Sequence, residues 1–369
     1  MYKSYFKIAL KQLQKNTTFS VINISGLAIG MAAVMLLLLW IQNEMSYDRF
    51  HTKGDRIYEL WNKAKWDDKL ECWPVTPKVA AKTLRQNFPE IEKVIRVDWP
   101  SNRLLIAGNK RLFAYGHAVD PEFLTTFSFP IIEGNKNTVL QNPNSFLITP
   151  KLAEKLFGKE NPIGKIITFE DKTQLTITGI IDNPPNNTRF DFEYLIPWKF
   201  TELKDGEENN WNNNSTHTYV LLKENASIDK LQQKIKTLRK DYSNVEDDYE
   251  MFIYPCKKWR LYSSFQNGIE DGQGKIQMVK LLGIIAAFLL VIACINFMNL
   301  STARSEKRAK EVGIRKTIGA NKTDLIIQFL SETILLAIIS FIIALLLVKI
   351  CLPSFNTLSY KQLNLDLTN

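Results

Sequence analysis

Histidine and cysteine are scarce in this chain of 369 residues, which has three histidines and four cysteines. His51, His117 and His217 are far apart in sequence, so none of the short spacings typical of zinc or haem sites is present. No serine nucleophile lies in a Gly-x-Ser-x-Gly motif. We therefore expect no catalytic residue, no metal site and no cofactor in this chain, and hence a protein that is not an enzyme.

The four cysteines show no spacing typical of a metal or redox motif. Cys294 lies within an apolar run and Cys351 just after another, which leaves Cys72 and Cys256 in the long region between the runs. An oxidising compartment would permit a bridge between those two. Two unpaired thiols are the interpretation we favour, with a disulfide as the alternative.

Long apolar runs, by contrast, occur three times. A helix needs about 20 apolar residues to cross a bilayer, and the runs Val21–Ile41, Leu281–Leu300 and Leu325–Val348 are long enough. A cleaved signal peptide is an alternative for the first run, but the run is too long and no Ala-x-Ala site follows it. The chain is predicted to be an integral membrane protein with three transmembrane helices, at residues 18–42, 279–301 and 324–350.

Basic residues are concentrated beside these runs. The amino end has four lysines. The loop 302–323 has seven Lys or Arg and two acidic residues, Glu306 and Glu311, and the two regions together account for the net charge of +9. Short loops rich in Lys and Arg stay in the cytoplasm, so we expect a cytoplasmic amino terminus, with residues 1–17 as an amphipathic helix on the inner membrane surface. Anionic lipids then explain the basic excess, and nucleic acid is not an expected partner.

The long region at residues 43–278 is expected to lie outside the cytoplasm. Its short strand and helix patterns predict a large extracytoplasmic α+β domain of two lobes beside an α-helical membrane domain. The predicted first lobe covers about residues 43–143 and 245–278. The predicted second lobe is inserted at about residues 144–244.

The loop 302–323 also contains an apolar pattern. Val312, Ile314 and Ile318 alternate with basic residues, and Gly313 and Gly319 permit close backbone approach. A solvated connector needs no apolar face, so we favour a docking helix over that simpler alternative. The candidate docking residues are Glu311, Val312, Gly313, Ile314, Arg315, Lys316, Ile318 and Gly319.

Glu332, near the start of the third run, is a candidate intramembrane polar site. Such a charge can face a partner helix or a switch. It also lies only two turns after Asp324, and we favour the interpretation that it is solvated at the depth of the lipid headgroups.

Several segments are similar to the FtsX/MacB group of ABC transporter permeases, and together they cover nearly the whole chain. The cytoplasmic segment Glu306–Ala320, followed by Asp324–Glu332, resembles the signature cytoplasmic helix of that family. The other matching segments are Tyr5–Leu13, Phe19–Gly30, Glu44–His51 and Trp259–Ser264.

The resemblance implies a permease that forms a homodimer or pairs with a second permease, in the bacterial inner membrane, with a periplasmic domain of a porter-like and an inserted lobe. It implies a separate ABC ATPase subunit that binds the cytoplasmic coupling helix at residues 302–323. ATP hydrolysis there would drive mechanotransmission to the periplasmic domain, for export or extraction of an amphipathic, peptide or lipoprotein substrate. Such efflux systems also engage periplasmic adaptors.

A regulatory scaffold that activates a cell-wall hydrolase or senses envelope stress is the alternative function, since the same parts would serve it. The family core has four spans, whereas the tail at residues 351–369 should lie outside the membrane, so a fourth span is missing and we expect a truncated chain.

Overall fold

The computed structural model describes residues 17–170, 172–243, 249–317 and 322–365. The chain divides into two compact units. The helical unit consists of Met1–Met45 and Gln277–Asn369, and the sheet unit of Ser46–Ile276. The predicted amphipathic helix at residues 1–17 lies almost wholly outside the described residues.

The helices of the described residues are α1 (Thr17–Met45), α2 (Lys78–Asn87), α3 (Phe123–Thr126), α4 (Pro150–Phe157), α5 (Trp198–Asp205), α6 (Ile228–Lys236), α7 (Leu238–Tyr242), α8 (Lys275–Thr317) and α9 (Lys322–Ser359). Within the described residues, three of them are long and apolar enough to cross a membrane, over Thr17–Met45, Lys275–Leu300 and Leu325–Ser359. Each contains one of the runs from which a span was predicted.

The ends of the helices differ from the prediction. The second span and the residues predicted as a separate coupling helix form one helix, α8, as far as Thr317, because the Ser-Thr-Ala-Arg-Ser-Glu sequence after Leu300 has no glycine or proline to end it. Helix α9 continues through Pro353 to Ser359, so the predicted start of the tail at residue 351 is wrong. Beyond α9, Lys361 forms an ion pair of 2.7 Å with the buried carboxylate of Glu44 at the end of α1.

Small residues bring the helices of the helical unit into close contact. Ala28 and Ala32 of α1 form a buried cluster with Ala344 and Val348 of α9. A Cβ placed on Gly30 would lie 2.6 Å from the Cβ of Ala293 in α8. Without a hydrophobic driving force inside a bilayer, such close van der Waals packing is what associates transmembrane helices.

We expect Gly30→Ala to destabilise the helical unit by about 1–3 kcal/mol, because the added methyl group forces α1 and α8 apart. Gly283→Ala in α8 is the matched control, since no described atom lies within 4 Å of its added Cβ. Thermal unfolding of the detergent-solubilised protein is the measurement. Equal melting temperatures for the two variants would contradict the close contact.

The strands are β1 (Ile57–Trp66), β2 (Lys69–Trp73), β3 (Val75–Pro77), β4 (Ile91–Val97), β5 (Ser101–Ala107), β6 (Lys110–Val119), β7 (Ile131–Glu133), β8 (Ser145–Ile148), β9 (Ile166–Phe169), β10 (Thr173–Ile181), β11 (Tyr194–Pro197), β12 (Asn214–Leu222), β13 (Glu250–Pro255), β14 (Phe265–Gln266) and β15 (Ile269–Glu270). Among the described residues, thirteen strands form one sheet in the order β11-β8-β10-β9-β5-β6-β4-β12-β1-β13, with β2, β3 and β7 beside this path.

The first lobe of the sheet unit is the four-stranded antiparallel sheet β4-β12-β1-β13. With α2 between β1 and β4, and α6 and α7 between β12 and β13, it has the β-α-β-β-α-β connectivity of a ferredoxin-like motif. One face of the sheet packs against these helices around a core that includes Leu84, Leu231 and Ile235. The other face carries an aromatic-rich core that includes Phe123, Phe127 and Phe190.

The second lobe is a closed ring of six strands. Strand β11 pairs with β8 on one side and with β6 on the other, which joins the two ends of the path β11-β8-β10-β9-β5-β6. Gly116 of β6 is needed at this closure, because an added Cβ would collide with the carbonyl oxygen of Tyr194. Phe146, Phe169 and the helices α4 and α5 contribute to its core.

The predicted limits of the inserted lobe, residues 144–244, are wrong at both ends. The insertion follows β4 and ends where β12 begins, so it covers residues 98–213 and includes β5 and β6. Strand β12 belongs to the first lobe, because it pairs with both β1 and β4. The helices α6 and α7 also pack there, through Leu231, Ile235 and Leu238.

The strand register explains why Cys72 and Cys256 are both free thiols. Cys72 lies opposite Lys63 of β1, whereas Pro255, just before Cys256, lies opposite Tyr58. Five residues of strand separate these positions, or about 17 Å. A disulfide needs Cα atoms within about 7 Å, so this pairing cannot form in the folded sheet unit.

Candidate functional site

Asp48 lies just after α1, where the chain begins the sheet unit, and its side chain is buried. Its carboxylate accepts hydrogen bonds from the indole N–H of Trp259 at 2.8 Å, the backbone N–H of Arg189 at 3.1 Å and the hydroxyl of Thr188. Its own backbone N–H donates to the carbonyl of Asn187 at 2.9 Å. One carboxylate thus joins three segments that are far apart in sequence.

The position of Trp259 gives this bond its significance. Trp259 lies between β13 and α8, close to where the chain leaves the sheet unit. Its ring is buried, with 6% of the residue exposed. The guanidinium carbon of Arg189 lies over this ring, 5.1 Å from its centroid. The hydrogen bond to Asp48 therefore connects the first segment of the sheet unit directly to the segment that follows β13.

A buried ion pair continues the network into the sheet. Glu59 of β1 is fully buried, and its carboxylate pairs with the guanidinium of Arg189. The same carboxylate contacts Nδ1 of His217 at 2.9 Å and accepts a hydrogen bond from the indole of Trp61 at 3.0 Å. We refer to Asp48, Glu59, Arg189, His217 and Trp259 as the buried polar network.

The electrostatics of the network keep Glu59 and Arg189 charged. Burial alone would raise the pKa of Glu59, but the charge of Arg189 and the hydrogen bond from His217 outweigh it, so the pKa lies below its ordinary value. Burial opposes charge on Arg189 as well, yet the carboxylate of Glu59 raises the pKa of this guanidinium. Each charge is therefore stable only in the presence of the other.

His51 packs beside the network among aromatic rings, with centroids 4.1 Å from Phe50 and 5.1 Å from Phe127. Its Nδ1 accepts a hydrogen bond from the backbone N–H of Ser128 at 3.1 Å. In the neutral ring the proton must then lie on Nε2, which is 3.7 Å from Asp48. This separation is too long for a hydrogen bond, and Nε2 has no hydrogen-bond partner among the described residues.

The candidate docking residues lie in the helical unit. Ile314 is exposed by 58%, and no described atom lies within 4 Å of a Cβ placed on Gly313. Ile318 and Gly319 lie outside the described residues. The last turns of α8 contain the others: Glu311, Val312, Gly313, Ile314, Arg315 and Lys316.

Glu332 lies in α9 and is only 5% exposed, so the interpretation that it is solvated is wrong for this fold. Sequence reasoning missed a second polar residue of this unit, Asn23 of α1, which is 1% exposed. Neither amide atom of Asn23 has a hydrogen-bond partner among the described residues. Such a group is costly to bury in an apolar environment.

Sequence reasoning did not single out the buried polar network, although part of its signal was visible. Asp48 and Trp259 belong to two of the segments that carried the family resemblance. Glu59 interrupts an otherwise apolar strand start, Ile57–Trp61, where an acid is unexpected. Arg189 gave no local signal, because only the fold brings it to Glu59.

Two sequence models of protein families match the chain. The model of the MacB-like periplasmic core domain matches residues 20–238, and that of the FtsX-like permease C-terminal region matches residues 283–368.

Similar proteins include the macrolide export ATP-binding/permease protein MacB of Shewanella sp., which is 23% identical over 91% of this chain and 50% of its own length. The pyoverdine export ATP-binding/permease protein PvdT of Pseudomonas syringae is 22% identical over 85% of this chain and 46% of its own. The chain thus spans about half the length of these curated relatives. A solved domain of a Porphyromonas gingivalis protein described as a permease is 21% identical, with a TM-score of 0.49 over 56% of this chain and 92% of that one.

We expect Arg189→Met to lower the free energy of unfolding by about 3–5 kcal/mol, because it leaves the Glu59 carboxylate buried without its countercharge. The double variant Glu59→Gln/Arg189→Met removes both charges and should regain part of that loss. Denaturant unfolding of the full chain, followed by tryptophan fluorescence, measures both. Additive effects of the two single substitutions would show that the pair is not coupled.

Proposed function

Because the chain belongs to the FtsX/MacB-like family of ABC transporter permeases, we propose that it is a permease subunit of the mechanotransmission type. In this proposal a separate ABC ATPase hydrolyses ATP, and the permease transmits the resulting movement to its extracytoplasmic domain. The chain itself contributes no catalysis. The substrate class we propose is amphipathic, peptide or lipoprotein.

The family is that of integral membrane proteins with an extracytoplasmic domain, and the sheet unit corresponds to that domain. We propose a cytoplasmic amino terminus, because the basic residues lie on the side that the positive-inside rule assigns to the cytoplasm. In this proposal the end of α8 and the start of α9 are cytoplasmic as well. A homodimer is the assembly we propose.

The observation that carries the proposal is the hydrogen bond between Asp48 and Trp259. Within the sheet unit it joins the segment that follows α1 to the segment between β13 and α8, so the chain that leaves one membrane helix is bonded to the chain that leads to the next. A displacement of either helix would act on Asp48, and from there on the Thr188–Arg189 segment and on Glu59 in β1. Packed, hydrogen-bonded elements are the physical route by which such a movement is transmitted.

The cytoplasmic end of α8 is the proposed ATPase-docking element. A single continuous helix from Lys275 to Thr317 supports this assignment, because a rigid helix transmits a push along its axis without a joint. The exposed side chain of Ile314 offers an apolar contact to a partner.

We expect Gly313→Glu to abolish co-purification of the cognate ABC ATPase with the detergent-solubilised permease, because it places a bulky charge at the centre of the docking residues. No described atom lies within 4 Å of a Cβ placed at this position, so the substitution should leave the fold intact. Gly313→Ala is the control, since it replaces the glycine by adding only a methyl group and no charge. Retention of the ATPase by Gly313→Glu would exclude this part of α8 as the docking element.

We expect Trp259→Phe to uncouple the sheet unit from the ATPase, because it removes the indole donor to Asp48 but keeps an aromatic ring. In a cysteine-free background, a nitroxide at exposed Leu203 in each protomer reports the distance between the two sheet units. ATP should change this distance in the wild type and not in the variant, while ATPase activity persists. Trp66→Phe, at an exposed hairpin, is the control. An unchanged ATP response in Trp259→Phe would refute the role of this bond.

A further inference from the structure

Strand β13 is an edge of the ferredoxin-like sheet. It pairs with β1 on one side, and no described strand pairs with the other side. The backbone N–H of Ile253 points away from β1 and donates to the side-chain oxygen of Gln232 at 3.1 Å. The backbone N–H and carbonyl groups of successive strand residues point to opposite edges. The backbone groups of Met251 and the carbonyl of Pro255 therefore also point outward.

An open groove of about 870 Å³ runs along this free edge. One wall is α6, through Gln232, Gln233 and Lys236. The opposite wall is the β14–β15 hairpin, through Phe265 and Glu270. The free edge of β13 is therefore recessed between a polar helix and an aromatic hairpin.

The charges that line the groove are largely matched within it. Lys236 pairs with Glu250 at 3.0 Å, and Lys258 pairs with Glu270 at 3.0 Å. Lys63 also approaches Glu250, at 3.6 Å. The described lining therefore offers a ligand mainly apolar surface and the outward backbone groups of β13. These features fit a neutral extended main chain better than an anion such as a lipid phosphate.

We propose that the groove along β13 binds an extended polypeptide segment of a partner protein, which adds to the sheet as a further strand. Main-chain hydrogen bonds supply affinity in this mode of recognition, and pockets for alternate side chains supply specificity. Apolar side chains of the segment face Phe252 and Phe265, and the intervening polar side chains face α6. This inference goes beyond the proposed transport function and does not depend on it.

Gln232 has a defined role in this proposal. In the free protein its side-chain oxygen accepts a hydrogen bond from the N–H of Ile253 and so protects the strand edge. Natural proteins protect exposed strand edges in such ways to avoid unwanted pairing. An incoming strand replaces that side chain with its own carbonyl. Gln232→Ala therefore exposes the N–H and favours strand addition.

The test uses the full chain in nanodiscs and a fluorescent six-residue peptide of alternating valine and threonine, with empty nanodiscs as the blank. A second peptide of the same sequence is N-methylated at every residue, which removes the N–H donors of both strand edges. Fluorescence anisotropy measures affinity. A photo-crosslinking residue at Gln233, which lines the groove, is compared with one at the neighbouring Lys234, which pairs with Glu90 instead.

We expect saturable binding of the unmodified peptide, binding weaker by about tenfold or more after N-methylation, and crosslinking from position 233 but not 234. Binding to Gln232→Ala should be tighter than to the wild type. Equal affinity of the two peptides, equal crosslinking from both positions, absence of saturable binding, or weaker binding to Gln232→Ala would each overturn the proposal.

Discussion

The Asp48 carboxylate is the point on which the organisation of the sheet unit depends. Asp48 lies at the beginning of the unit. It accepts hydrogen bonds from the Trp259 indole, which follows β13, and from the Thr188–Arg189 segment in the middle of the unit. Removing a carboxylate from water is costly, and only several well-placed donors offset that cost. The three segments are therefore held in one arrangement, because any other would leave the buried charge without its partners.

Glu59 and Arg189 extend this constraint into the sheet. A buried ion pair is weak evidence for stability, since two apolar residues of similar volume often stabilise a fold as well. The pair makes the position of Glu59 depend on that of Arg189, because Glu59 would be left charged in an apolar core if Arg189 moved away. Since Arg189 also donates its backbone N–H to Asp48, Asp48 is connected through Arg189 to Glu59 in β1.

The helical unit rests on a different kind of interaction. Its closest contacts involve small residues: a Cβ on Gly30 would collide with Ala293, and Ala28 shares a buried cluster with Ala344. Small residues at such contacts let the helix backbones approach closely and associate by van der Waals packing. Helix α8 is continuous from Lys275 through the candidate docking residues up to Lys316, so these residues and the second apolar run belong to one helix.

Local sequence patterns were sufficient for much of this protein. Apolar length located the three long helices, because this property depends on near neighbours in the chain. The lobe limits and the buried polar network could not be obtained in this way. Strand β12 joins the first lobe through pairing with β1, about 160 residues earlier, and Arg189 reaches Glu59 across 130 residues. Partners that distant leave no periodicity in the sequence, so only the tertiary structure decided which residues form the core and which charges are paired.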